Sequence, residues 1–295
     1  MPLLDKLREQ YGVGPVCSEL HIAPSTYYHC QQQRHHPDKR SARAQRDDWL
    51  KKEIQRVYDE NHQVYGVRKV WRQLLREGIR VARCTVARLM AVMGLAGVLR
   101  GKKVRTTVSQ KAVAAGDHVN RQFVAERPDQ LWVADFTWVS TWQGFVYVAF
   151  IIDVFAGYIV GWRVSSSMET AFVLDALEQA LWARRPSGTI HHSDKGSQYV
   201  SLTYTQRLKE AGLLASTGST GDSYDNAMAE SINGLYKAEV IHRKSWKNRA
   251  EVELATLTWV DWYDNRRLLE RLGHTPPAEA EKAYYASIGN DDLAA

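Results

Sequence analysis

Apolar side chains recur at helical spacing along the first third of the chain: Leu50, Ile54, Val57 and Tyr58, then Val67, Val70, Trp71, Leu74 and Leu75. This spacing predicts two amphipathic helices, the first from about Asp47 and the second ended by Gly78. A third is predicted to start between Ala82 and Thr85 and to carry Val86, Leu89, Met90 and Met93 on its apolar side, with Arg83 and Arg88 off it. Three short helices with a glycine-bounded turn before the last match a helix-turn-helix domain over residues 46–97. Its final helix would enter a DNA major groove, with Arg83 and Arg88 as contacts. A small helical bundle with a solvated basic face is the other reading of the same pattern. Upstream, residues 12–30 read as a short helix, a turn and a second helix opened by Pro24 and Ser25. Residues 1–45 are thus a further helix-turn-helix-like segment with a polar linker.

After Pro128 the period changes from helical to extended. The runs LWVADFTWV (131–139), FVYVAFIID (145–153) and YIVGWRVS (158–165) predict three strands joined by short turns, an antiparallel meander. An amphipathic helix (168–185), a strand (188–194), a helix (202–211), a short strand (213–216) and a helix from about Asp225 to Ile241 follow. This β-β-β-α-β-α-β-α order is that of a ribonuclease-H-like α/β core, a mixed five-stranded sheet with flanking helices, over residues 128–245. Residues 98–127 are then a basic linker, and residues 246–295 a C-terminal helical extension and tail. The most apolar stretch, 145–162, is interrupted by Asp153 and Gly157 and reads as two strands and a turn, not a membrane span.

Charge sharpens this division. The 295 residues carry a net +6, but residues 1–111 hold 22 Lys/Arg against 10 Asp/Glu, and residues 112–295 hold 17 against 23. The basic half suits phosphate and is expected to bind DNA by itself, weakening with salt; the acidic half needs metal ions to do so. Arg100, Lys102, Lys103 and Arg105 lie in a run without acidic residues, residues 98–111, the composition of a phosphate-contacting arm. Cys17, Cys30 and Cys84 are odd in number and form no C-x-x-C pair, which argues against a disulfide framework and fits a reducing compartment. Cys17, His21, His29 and Cys30 lack the paired spacing of a zinc module. The N-terminal residues have no continuous apolar core of a secretory signal. The expected location is the cytoplasm, at the nucleoid when DNA is bound, with no membrane partner.

Acidic residues set among apolar or small neighbours are the informative ones, and four stand out: Asp135, Asp153, Asp194 and Glu230. Asp153 reads as a strand-end residue capping the turn before Gly157. The other three converge, because the centre of the first strand lies beside the end of the fourth and the last helix crosses that edge. Three carboxylates in one place raise each other's pKa unless cations lie between them. Oxygen-only ligands suit Mg²⁺ or Mn²⁺ better than zinc, and two such ions would serve an in-line phosphoryl displacement. Strand alternation sends His192 to the side of Asp194 and His191 to the other. Packing is the simpler reading of both histidines, with an approach of His192 to phosphate as the alternative. Lys195 and Gly196 set a cation and a close-approaching backbone at the same edge. Trp142, in the STWQG turn, is the tryptophan expected to meet DNA by stacking.

Asp135 and Asp194 are separated by 58 residues, Asp194 and Glu230 by 35, and Lys237 follows Glu230 by seven. Together with the words WVADFTWV, HHSDKGSQY, STGSTGDSYDNAMAESINGLYKAEVI and WVDWYDNRRLLERLGHTPPAE, this resembles the DDE transposase and retroviral integrase superfamily. Within it, the chain is similar to the integrase-type product of the second reading frame of insertion sequence 3 family elements, over residues 46–285. The resemblance implies that Asp135, Asp194 and Glu230 are the catalytic residues and the ligands of two Mg²⁺ (or Mn²⁺) ions. It implies that Lys237, two helical turns beyond Glu230, contacts DNA near the element end. Asn226, one turn before Glu230, steadies it, touches DNA or caps the helix.

The implied reaction is metal-dependent cleavage of element ends, in which water releases a 3′-hydroxyl that then attacks another strand. No covalent protein–DNA intermediate is needed, in keeping with the lack of an obvious activated Ser or Tyr nucleophile. The implied partners are double-stranded DNA (terminal inverted repeats and target), further copies of the chain on DNA, and the upstream-frame protein. This chain has no sustained leucine heptad and reads as the downstream product alone. Two positions depart from the family pattern, Trp138 where tyrosine is frequent and Asp264 where asparagine is. A non-catalytic DNA-binding regulator, and a ribonuclease-H-like nuclease that cuts without joining, are the other functions compatible with these residues.

Overall fold

The computed structural model describes residues 2–99, 124–194, 196–217 and 227–294. The first three helices, α1 (Pro2–Tyr11), α2 (Val13–Glu19) and α3 (Pro24–His35), gather Leu4, Val16, Cys17 and Tyr27 into a small apolar cluster. Its polar rim is matched: the Tyr27 hydroxyl donates to Asp5 (3.0 Å) and accepts from Arg8 (2.8 Å), and Arg34 pairs with Asp5 at 2.7 Å. α1 adds a helix to the two that the pattern predicts, since Leu3, Leu4 and Leu7 are too few to display a period.

The predicted three-helix unit is present as α4 (Ala42–Glu60), α5 (Val67–Arg76) and α6 (Arg83–Val92). α4 begins at Ala42 and not near Asp47, because Ser41 caps it: the Ser41 hydroxyl accepts from the Ala44 N–H at 3.3 Å. Its first turn has no large apolar residue, so periodicity alone could not register it. The Trp71 indole donates to the Val81 carbonyl at 2.8 Å, and Gly78 turns the chain with φ +82°, setting α6 against α5.

The strands are β1 (Leu131–Thr141), β2 (Gly144–Asp153), β3 (Tyr158–Ser165), β4 (Ile190–Ser193) and β5 (Leu214–Thr217). They form the mixed five-stranded sheet, in the order β3-β2-β1-β4-β5, with β1 to β3 an antiparallel meander and β4 and β5 running parallel to β1. Alternation along the strands supplies two apolar faces. Trp132, Ala134, Ala149, Ile151 and Val160 face α7 (Thr170–Arg184) and α8 (Leu202–Glu210). Leu131, Val133, Val148 and Phe150 face α9 (Ala227–Glu239) and α10 (Arg249–Asn265). On the first face the backbones come so close that a Cβ at Gly161 would lie 2.3 Å from the Ala176 carbonyl of α7.

Residues 246–295 prove to be more than an extension, because α10 belongs to the core and α11 (Pro277–Ala294) packs on α10. Val252, Trp259, Val260, Trp262 and Tyr263 of α10 join one apolar cluster with Leu50, Ile54, Val70, Leu74 and Leu89 of the three-helix unit. Polar contacts reinforce the junction. The Tyr65 hydroxyl donates to the Arg266 carbonyl (3.2 Å) and accepts from the Leu268 N–H (2.8 Å), and the Trp262 indole donates to Asn61 (3.1 Å). Cut free of α10, the three-helix unit would leave Asn61 and Tyr65 without these partners and apolar surface in water.

Asp264, one of the two departures from the family pattern, is buried and accepts from the Ile159 N–H of β3 at 2.9 Å, so it serves the fold. Asp153 is fully buried at the end of β2, where it accepts from the N–H groups of Asp129 (2.6 Å) and Phe155 (3.0 Å), the turn-capping role read from the sequence. Burial pushes its carboxyl from 3.8 up to about 7. A carboxyl whose pKa rises on folding favours the fold while both states are protonated, and that contribution is lost as pH climbs from about 4 through 7. Asp153→Asn is therefore expected to show a flatter fall in melting temperature over that window, whatever its constant offset. Thermal unfolding profiles of variant and parent that run parallel from pH 4 to 7 would exclude Asp153 as the source.

Candidate active site

Asp135 sits in the middle of β1, opposite Phe150 of β2. On its other side the parallel pairing with β4 ends at Ala134 and Ser193, so Asp194 is the next residue along β4, beside Asp135. The Asp135 carboxylate accepts from the Phe136 N–H at 2.8 Å and from the Asn233 side-chain amide of α9 at 2.9 Å. Asp194 is exposed, and its Oδ1 accepts from the Gly196 N–H at 3.0 Å. A Cβ at Gly196 would lie 2.9 Å from that oxygen, so a larger residue there would press on the Asp194 carboxylate.

α9 crosses this edge of the sheet with Ala229, Ile232 and Tyr236 buried beneath it. Glu230, Asn233 and Lys237, at i, i+3 and i+7, share the neighbouring side of the helix. Burial, then the charges of Asp194 and Glu230, push the Asp135 carboxyl up to about 7 against the lowering by its Phe136 and Asn233 hydrogen bonds. Asp194 and Glu230 are therefore both near enough for their charges to be felt at Asp135. Lys237 is half-buried; burial lowers its pKa and the Asp135 charge opposes that. Its Nζ lies 5.2 Å from the centre of the Trp138 ring.

Among the described residues, no three acidic, histidine or cysteine side chains, the predicted trio included, are placed to hold a metal ion together. The fit to a cation is one of charge and donor type. The acids are hard oxygen donors under mutual repulsion, and the buried Oδ1 of Asn233 has no hydrogen-bond partner among the described residues. Both features suit a hydrated divalent ion.

Asn233 is the residue that sequence reading passed over. The signal for it was a polar side chain three residues after Glu230, at the margin of the buried stripe of α9. His191 and His192 are both buried: His191 meets the Tyr204 hydroxyl at 3.1 Å, and His192 the Ser216 hydroxyl of β5 at 3.0 Å. Their side chains serve packing, and the alternative of His192 reaching a phosphate is not what the structure has. Burial lowers the His191 pKa to about 4. Arg83 is exposed at the start of α6, whereas Arg88 is held by both carboxylate oxygens of Asp47 at 2.9 Å, tying α6 to α4. Asn226, Arg100, Lys102, Lys103, Arg105 and Lys195 lie outside the described residues.

Comparison with known proteins agrees with this architecture. Residues 125–223 and 211–277 match two family models each described as an integrase core domain, and residues 45–103 match an HTH-like domain. The chain is 96% identical over 295 residues, all of both proteins, to the transposase for insertion sequence element IS629 of Shigella sonnei. It is 54% identical over 273 residues, 90% of this chain and 96% of the other, to a putative transposase for insertion sequence element IS986/IS6110 of Mycobacterium tuberculosis. Among solved structures, the HTLV-2 integrase catalytic core domain in complex with magnesium is similar at a TM-score of 0.42 and 12% identity, over 54% of this chain and 99% of that one.

The Asn233 contact can be tested by charge. Asn233→Asp replaces the donor with a fourth carboxylate and is expected to lower the melting temperature more in chelator than in millimolar divalent cation. Equal losses in the two buffers would mean that no ion reaches the acids.

Proposed function

The chain belongs to the insertion sequence 3 family of transposases, DNA-transposing enzymes with an integrase core, and on that premise we propose how its residues divide the work. Asp135, Asp194 and Glu230 are the catalytic carboxylates. The observation that carries this is geometric: the β1–β4 register sets Asp194 beside the half-buried Asp135, and α9, which bears Glu230, lies close enough for its Asn233 to donate to the Asp135 carboxylate. Two Mg²⁺ (or Mn²⁺) ions held by the three acids would neutralise them and supply the polarisation of an attacking oxygen and a leaving oxygen.

The side chains around them keep this site in shape. Asn233 fixes the Asp135 carboxylate through Nδ2, and the Gly196 N–H fixes that of Asp194. Lys237 brings a cation to the same edge, where a DNA phosphate would meet it. Cleavage of an element end then breaks a P–O3′ bond, water supplying the new oxygen on phosphorus and the 3′-oxygen leaving as a hydroxyl. Strand transfer repeats the displacement with that 3′-hydroxyl as nucleophile, forming one phosphodiester and releasing the 3′-hydroxyl of the target strand. Neither step requires a nucleophile from the protein.

Double-stranded DNA, both terminal repeat and target, is the partner of the basic half. α6 would read the major groove with Arg83 and Arg88, the latter also tied to Asp47, and Arg100, Lys102, Lys103, Arg105, Lys195 and Asn226 would add contacts along the backbone. Several copies would assemble on DNA, and the upstream-frame protein would supply further end recognition. With DNA as substrate, the working place is the bacterial cytoplasm.

The test is a strand-joining assay on element-end DNA in Mg²⁺ with Asp135→Asn, Asp194→Asn and Glu230→Gln. Each is expected to reduce cleavage and joining by at least about a hundredfold, the scale of losing a group that stabilises transition-state charge, while DNA binding persists. Joining that survives in these variants overturns the assignment; hydrolysis without joining in the parent protein favours a nuclease.

A further inference from the structure

Beside the carboxylates runs a groove of about 570 Å³ between the β1–β2 hairpin and the segment that follows α9. One wall carries Trp138 and Trp142; the other carries Lys237, His242, Lys244 and Trp246. No acidic residue lines it among the described residues. The two hairpin tryptophans are 54% and 72% exposed, although large indole rings ordinarily withdraw from water. The groove is also pre-built. The Trp142 N–H donates to the Trp246 carbonyl at 3.0 Å, pinning the hairpin tip to the opposite wall, and the Trp246 indole donates to the Ile241 carbonyl at 3.0 Å. Within the turn, the Thr141 hydroxyl donates to the Gly144 carbonyl at 2.8 Å and accepts from the Gln143 N–H at 3.2 Å.

Cations are set against the rings. The Lys237 Nζ lies 5.2 Å from the Trp138 ring, and the Lys244 Nζ lies 4.3 Å from the Trp246 ring while also pairing with Glu251 at 2.7 Å. Exposed aromatic faces spaced along a cationic, acid-free groove are what single-stranded nucleic acid recognises: bases stack on the rings and phosphates meet the cations. A paired duplex offers such rings only the outer face of its terminal pair, because its internal bases are already stacked on one another. Trp138 lies three residues along β1 from Asp135, on the order of 10 Å at strand rise, so a strand leaving the carboxylates reaches the rings within a few nucleotides.

We propose that this groove takes a short unpaired stretch of DNA next to the phosphate being cut, with bases stacked on Trp138 and Trp142 and phosphates at Lys237 and Lys244. The proposal rests on the transposase reading of the adjoining site and adds that the bound end is locally melted. Its energetic logic is that stacking on protein offsets the unstacking of the terminal pairs.

The experiment uses the full chain and fluorescein-labelled element-end duplexes of one sequence, either fully paired or with three mismatched terminal pairs. Anisotropy is expected to show about tenfold tighter binding of the opened end. Trp142→Ala should abolish that preference, and Trp142→Phe, which keeps an aromatic face, should retain most of it. Trp182→Ala, which removes a still more exposed tryptophan on α7 (82% exposed), should not change it. A short oligothymidylate should compete for the opened end in the parent and not in Trp142→Ala. Equal affinity for the two duplexes in the parent, or an equal loss on both in Trp142→Ala, overturns the proposal. Asp135→Asn separates the two readings: it should stop cutting yet keep the preference, so cutting that survives refutes the carboxylate assignment while a missing preference refutes the groove.

Discussion

A half-buried carboxylate in the middle of a strand must be held by the rest of the fold, and in this protein that requirement falls on Asp135. Its hydrogen bond from Asn233 exists only if α9 lies across the sheet at a set rotation. That rotation is secured by aromatic packing. Tyr236 of α9 meets Phe150, the pairing partner of Asp135 on β2, at 5.2 Å between ring centres, and Trp259 of α10 lies 5.2 Å from Tyr236 and 5.9 Å from Phe150. The Tyr236 hydroxyl and Thr256 meet at 2.7 Å on the far side. Electrostatics at the site is thus coupled to the placement of α9, and the placement of α9 to α10.

The coupling continues through the end of α9. Glu239 and Arg267 form a buried ion pair, and the Trp259 indole donates to the same carboxylate at 3.0 Å. Breaking a buried pair of this kind costs roughly 3–5 kcal/mol, because the surviving charge is left without its partner. The Arg267 guanidinium also lies over Trp262 and Tyr263, at 5.9 and 5.6 Å from their ring centres. Since Trp262 reaches Asn61, and Leu268 reaches Tyr65, the pair stands at the junction of the sheet, α10 and the three-helix unit.

Much of this was legible in the sequence, for identifiable reasons. The strands announced themselves through continuous apolar runs, and Asp135, Asp194 and Glu230 stood out as charges set among apolar or small neighbours. α5 and α6 showed their period and their glycine turn. What stayed hidden depended on contacts between distant parts of the chain. Asn233 looked like any polar residue at a helix margin until the strand beneath it was known. Asn61 and Tyr65, about 200 residues from Trp262 and Leu268, gave no sign of their partners. The early start of α4 rested on one serine cap and no apolar period.

The apolar cluster shared by the three-helix unit and α10 has a geometrical consequence for an enzyme that must cut at a defined place. A DNA-reading helix on a flexible tether would grip its sequence at one point and leave the cut to wander by the slack of the tether. Here α6 is packed on α5, and both belong to the body that holds Asp135, so on the proposed division of work the interval between the base pairs read and the phosphate attacked would be a dimension of the protein itself. The fold acts as a ruler, and its graduation is set by hydrophobic packing between helices.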